Sequence, residues 1–177
     1  RREREYPMSA DFSSPFPLHS PADSPAGPIR LALYQPDIAQ NAGNMIRTAA
    51  GLGVGVDLIE PCGFVLEDKK LKRAGMDYLE RAAVIRHASW PAFLQTVSGR
   101  RLILLTTQGA VAYTDFRFQA GDTLVTGTES AGAPDEVHAA AFARVRIPMR
   151  EGLRSLNVAA AAAMVLGEAL RRTSGFP

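Results

Sequence analysis

An α/β domain built on a mostly parallel sheet, with helices on both faces, is what this sequence predicts, and three observations predict it. From Ile29 onward short apolar runs alternate with helical stretches. Two of those runs, LILLT at 102–106 and TLVT at 123–126, are apolar enough for strands covered on both sides. The chain then closes with a strand, a polar loop and a long helix, the unit from which such sheets are made. No internal repeat interrupts the alternation.

The elements follow in order. Residues 29–34 (IRLALY) form a strand, the loop QPDIAQ follows, and a helix runs over 41–52. A second strand covers 56–59. A basic amphipathic segment at 68–75 precedes a short strand near 83–85. Residues 89–97 form a helix that tolerates Pro91 in its first turn. Strands at 102–106 and 123–126, a short helix at 134–141 and a strand at 143–149 come next. The last helix takes Ser155 or Asn157 as its N-cap and runs to about Arg172. Val158, Ala161, Val165, Leu166 and Ala169 recur along it at helical spacing, Arg171 and Arg172 suit its C-terminus, and Gly175 stops it.

Residues 1–28 differ from the rest, with six prolines among serines and charges and no sustained period. They read as a disordered extension outside a single domain at 29–177. The 177-residue chain is 46% hydrophobic and 21% charged, which suits one core. Its net charge is +2, and the domain alone, with 17 basic against 14 acidic residues, carries +3. Such a bias permits a nucleic-acid partner without requiring one. Cys62 is the one cysteine, and the three histidines share no ligand spacing, so neither a disulfide framework nor a metal is expected. No apolar run approaches the roughly 20 residues that span a bilayer. The N-terminus lacks the apolar core of a secretory signal, and a reduced cytoplasm is expected.

Four stretches could carry chemistry. In NAGNMIR, Asn41 and Asn44 share a helix face with Arg47 nearby. This suits either a capped helix start with a surface arginine or a polar cluster aimed at phosphate or ribose. In LVTGTESAGAP, Gly127 and Gly132 flank Glu129 after a buried strand, a plain turn or a place where backbone approaches a ligand. The loop 150–157 feeds a helix whose first turns are five alanines, Ala159 to Ala163, so that another backbone can approach closely. Lys69, Lys70, Lys72 and Arg73 cluster beside Tyr78, either a solvated face or a site for a phosphate backbone and a stacked base.

Taken in order, NAGNMIRTA, IEPCGF with DKKLKRAGMDY, LTT, GTESAG and IPM…RSLNVA resemble the SPOUT superfamily of RNA methyltransferases. Within it they are most similar to the small tRNA 2′-O-ribose methyltransferases that modify the wobble nucleotide. The resemblance covers residues 29–172. It implies a C-terminal trefoil knot, S-adenosylmethionine held by three knot loops, a tRNA substrate and a homodimer, with neither metal nor membrane. Carried over by position, Leu105 and Thr106 form the first cofactor loop, and Gly127 with Glu129 the second. Ile147, Pro148, Met149, Ser155 and Leu156 form the third. Arg47, Asn41, Glu129 and Asn157 become the catalytic set, with Arg47 of one subunit reaching the other's cofactor. Lys69, Lys70, Lys72, Arg73, Tyr78 and Arg154 become RNA contacts. Ala131 stands where many relatives have arginine, and Ala159 and Ala160 replace small polar residues, departures that bear on tRNA choice. Methylation of ribosomal RNA or of another tRNA position is the neighbouring alternative, and a non-catalytic RNA-binding protein the remoter one.

Overall fold

The structure, a computed structural model, describes residues 28–65 and 83–177. Seven strands form one sheet: β1 (Arg30–Tyr34), β2 (Gly55–Ile59), β3 (Val84–His87), β4 (Leu102–Leu105), β5 (Val111–Ala112), β6 (Thr123–Thr126) and β7 (Ala143–Arg146). Their order across the sheet is β3-β2-β1-β6-β4-β7-β5, and every pairing is parallel. Four helices stand among the described residues: α1 (Ala39–Gly51), α2 (Trp90–Thr96), α3 (Asp135–Ala140) and α4 (Val158–Thr173).

Parallel strands need crossovers over their faces, so both faces must be apolar. Alternate residues divide accordingly. Leu31, Leu33, Val56, Leu58, Ile103 and Leu124 pack beneath α1 and α4, against Met45, Ile46, Val165 and Leu166. Ala32, Tyr34, Ile59, Leu104 and Val125 pack on the other face against Trp90 and Phe93 of α2 and Val137 of α3. The polar groups within the sheet are paired. Asp57 of β2 receives Arg30 Nε at 2.6 Å from β1 and lies 2.8 Å from His87 Nε2 of β3, while Arg101 Nε donates to Asp122 at 2.7 Å. Each carboxylate is held by partners where burial would otherwise penalise it.

Several boundaries differ from expectation. Pro28, assigned to the extension by composition, accepts a hydrogen bond from Arg100 Nη2 at 2.6 Å through its carbonyl. Helix α1 begins at Ala39 with Ile38 at the N-cap position and no side-chain cap; Asn41 does not cap it. β3 extends to His87, and β5 had no sequence signal. β7 stops at Arg146, short of Met149, and β4 stops at Leu105. Ser89 caps α2 by accepting from Ala92 N at 3.2 Å. Of the two candidates for the last helix, Asn157 is the cap. That helix is stopped by Ser174, left-handed at φ 53°, not by Gly175, whose amide then reaches Leu170 O at 2.9 Å.

Candidate active site

The carboxyl ends of β4, β6 and β7 open onto one cavity of about 610 Å³. It lies on the side of the sheet where order reverses between β1 and β6, the usual place for a ligand in open α/β sheets. Leu105 and Thr106 enter it from the end of β4, Gly127 and Glu129 from the end of β6, and Ile147 and Met149 from the segment after β7. Ser155 and Leu156 close it from the loop before α4. All eight belong to the expected cofactor set. Pro148 does not line the cavity: it lies exposed between Ile147 and Met149, which are half-buried and do line it. Asn41 and Asn157 line the wall, whereas Arg47 is exposed on α1 and does not. Arg154, expected to meet RNA, lies in the cavity wall. Lys69, Lys70, Lys72, Arg73 and Tyr78 fall outside the described residues.

A relay of side chains ties these loops together. Asn157 Oδ1 accepts from the amides of Ala159 and Ala160 at 2.9 and 3.2 Å, which fixes the start of α4. Its Nδ2 donates to Asn41 Oδ1 at 2.9 Å, and Asn41 Nδ2 donates to Glu129 Oε1 at 3.2 Å. Glu129 Oε2 in turn accepts from the amide of Asp37 at 2.9 Å. Asp37 answers across the same gap: its carboxylate accepts from the amides of Glu129 at 3.1 Å and Ser130 at 3.3 Å, and from the Ser130 hydroxyl. The sequence reading missed Asp37. The available signal was an acidic residue at the carboxyl end of β1, just ahead of NAGN.

The backbone around this relay is tight. Thr128 and Gly132 exchange amide-to-carbonyl bonds of 2.9 and 3.0 Å, folding residues 129–131 into a closed tip. A methyl group on Gly127 would sit 2.4 Å from the carbonyl carbon of Gly132 and 2.6 Å from Ala133 N, so only glycine permits that closure. Gly63 plays the same part behind Asp37, where a Cβ would lie 2.7 Å from the Asp37 Cα.

Electrostatics separates the two acids. Hydrogen bonding with the Glu129 side chain, helped by Ser130 and the two amides, outweighs burial and holds Asp37 down to about 2. Burial, and then Asp37 itself, pushes the Glu129 carboxyl upward. When the pair takes up a proton, Glu129 takes it first, and Asp37 remains the fixed charge.

Other chemistries find little support among the described residues. No group of three or more His, Cys, Asp or Glu side chains could hold a metal ion there. The half-buried Cys62 thiol is pushed up to about 11, burial being the main cause, which makes it a poor nucleophile at neutral pH. No described helix is long and apolar enough to cross a membrane. In the alanine run, Ala162 is buried within the subunit and Ala160 is exposed.

Comparison with known proteins agrees with this architecture. The model of the SpoU rRNA Methylase family matches residues 28–167. A tRNA (cytidine(34)-2′-O)-methyltransferase of Ancylobacter novellus is 56% identical over 150 residues, covering 84% of this chain and 95% of the relative. An Escherichia coli K12 protein of the same name is 42% identical over 151 residues, covering 84% and 96%. A solved structure from work on the 2-OH methylation of C/U34 on tRNA superposes with a TM-score of 0.79 at 44% identity, covering 84% of this chain and 98% of that one. The SpoU methyltransferase AviRb of Streptomyces viridochromogenes, in complex with AdoMet, superposes at 0.77 with 25% identity, covering 88% and 65%. The family model's match over residues 28–167, together with 56% identity to a relative across 84% of the chain, makes this protein a member of the SpoU rRNA methylase family.

Proposed function

We propose that this chain is a tRNA 2′-O-ribose methyltransferase that transfers a methyl group from S-adenosylmethionine to the 2′-hydroxyl of the wobble nucleotide 34, a cytidine or modified uridine. The observation that carries this reading is the convergence of β4, β6 and β7 on one cavity beside the Asn157–Asn41–Glu129 relay. The relatives named above as tRNA (cytidine(34)-2′-O)-methyltransferases support the choice of nucleotide.

The residues present fit the cofactor. The cavity volume falls within the range of small-molecule sites. Leu105, Val145, Ile147, Met149 and Val165 give it apolar walls. The close backbone at Gly127 leaves main-chain groups within reach of a ligand, as purine recognition without charged side chains requires. Leu105, Thr106, Gly127, Ile147, Met149, Ser155 and Leu156 would hold it. When bound, S-adenosylmethionine supplies a methyl carbon made electrophilic by its sulfonium.

What the protein contributes is alignment and charge. Asn41 and Asn157 position the ribose, and Glu129, fixed by Asp37, orders the second loop. Arg47 of one subunit orients the ribose and its phosphate at the other subunit's cavity and stabilises charge developing on the 2′-oxygen. A guanidinium offers donors and no acceptor, so the hydroxyl proton passes to a phosphate oxygen or to water. This arrangement requires a homodimer, and it places Arg154 where cavity and RNA meet. The position of β7 between β4 and β5, although it follows β6 in sequence, supports a trefoil knot at the carboxyl end. The tRNA substrate supports a cytoplasmic site of action.

Transfer of tritiated methyl groups to bulk tRNA, followed by mass mapping of the modified nucleotide, tests this. Incorporation at position 34 is expected. A folded, cofactor-binding protein that labels no tRNA refutes it, and label in ribosomal RNA alone moves the substrate.

A further inference from the structure

Along residues 142–150, through β7 and beyond it, exposure alternates residue by residue. Ala143, Val145, Ile147 and Met149 are buried or half-buried, and the last three line the cavity. Phe142, Arg144, Arg146, Pro148 and Arg150 are all exposed. One side of this ribbon therefore builds the cofactor site, and the other carries three arginines and no acid. None of the three enters an ion pair among the described residues. Arg144 and Arg146, alternate residues of β7, lie about 6.6 Å apart and repel one another, and Arg150 follows four residues on. At the start of the ribbon Phe142 is 50% exposed, with the Arg101 guanidinium 4.7 Å from its ring centroid. That guanidinium is also tied to Asp122, so the ring rests on a fixed support.

From this we infer that the outward side of residues 142–150 is a docking strip for the sugar–phosphate backbone of the tRNA, running up to the nucleotide held at the cavity. A row of guanidiniums on one side suits a chain of phosphates, and the exposed ring of Phe142 offers a surface on which a flanking base stacks. Because the same nine residues alternate between strip and cavity wall, a strand seated on the arginines ends beside Ile147 and Met149. The strip rests on the proposed tRNA substrate and adds to it a surface assigned to neither cofactor nor ribose.

The test compares full-length wild type, an Arg144→Gln/Arg146→Gln double variant and an Arg171→Gln control, which removes an exposed cation at the far end of α4. Binding to the substrate tRNA is followed across salt concentrations, with methyl transfer and cofactor affinity measured in parallel and circular dichroism reporting the fold. The double variant is expected to flatten the dependence of log K on log salt by about 1.4, from about 0.7 per phosphate contact on a single strand. It raises the KM for tRNA tenfold or more, keeps kcat within about threefold, and leaves cofactor affinity and thermal stability unchanged. The control keeps the wild-type slope. An unchanged slope and KM in a folded double variant overturn the strip. So does a change in sedimentation, which would give this face to a second copy of the chain. Wild-type protein that neither binds nor methylates tRNA overturns instead the function on which the strip depends.

Discussion

Replacing Asp37 by alanine removes the one side chain that answers Glu129 across the gap between two loops. The carboxylate accepts amide bonds of 3.1 and 3.3 Å and the Ser130 hydroxyl. A hydrogen bond to a charged group contributes about 1.5–3 kcal/mol when well buried. Asp37 is only partly buried and its three bonds act on one short loop, so we set the net loss at about 1–2 kcal/mol. For a domain of this size that lowers Tm by roughly 2–8 °C. If the whole loss falls on ordering the 127–132 loop, cofactor affinity drops by roughly 5- to 30-fold. The pH dependence carries a definite sign. Asp37 is depressed to about 2 from 3.8, so its stabilisation is fully present above pH 3.8 and is lost as pH falls toward 2. Glu129 is shifted upward, so its own contribution runs the other way, and losing Asp37 relaxes it toward an ordinary carboxyl. Scanning calorimetry between pH 2.5 and 7 should find a Tm gap between wild type and Asp37→Ala that is constant near neutrality and closes below pH 4. A gap of the same size at every pH, or none with wild-type cofactor affinity, refutes the reasoning.

Four further substitutions, at three positions, probe the same proposal. The Gly127→Ala methyl meets backbone at 2.4 Å, with no flexible side chain to give way, so calorimetric titration should find cofactor binding lost in a protein that still folds; wild-type affinity would contradict the closed loop. Asn157→Ala removes a cap of about 1 kcal/mol together with the bond to Asn41, and should lower Tm by several degrees in thermal scans. Asn157→Asp keeps the cap but cannot donate to Asn41, so near-normal stability with reduced methyl transfer is expected of it. Arg47→Ala should abolish turnover in the tritium assay and leave cofactor affinity within a few fold; equal loss of both would reassign Arg47 to cofactor binding.

Much of the sheet was legible because its strands are buried on both faces, which leaves uninterrupted apolar runs such as Leu102–Leu105 and Thr123–Thr126. The ends of elements were not, and β7 shows why. Its apolar alternation continues through Ile147 and Met149, yet pairing stops at Arg146. β4 reaches no further than Leu105, opposite Val145, and β5 offers only Val111 and Ala112, opposite Val145 and Arg146. A strand needs neighbours, and period-two sequence continues here because the cavity, not a ladder, takes the inward side chains. Two-residue β5 has no period to read at all.

The asparagines carry the same lesson into the site. By local rules either Asn41 or Asn157 could cap a helix. Asn157 does, because it stands just before α4 and accepts from the first-turn amides of Ala159 and Ala160, which have no acceptor within the helix. Asn41 does not, because it stands one turn inside α1, which starts from Ile38, and its carboxamide is taken by Asn157 on one side and Glu129 on the other. The deciding contacts lie 116 and 88 residues away in sequence, beyond the reach of any local rule. Asp37, bonded to residues 92 and 93 positions along, was hidden for the same reason. The residues that hold the cavity together are therefore the ones whose local sequence is least informative. Their removal should cost cofactor affinity more than it costs the fold.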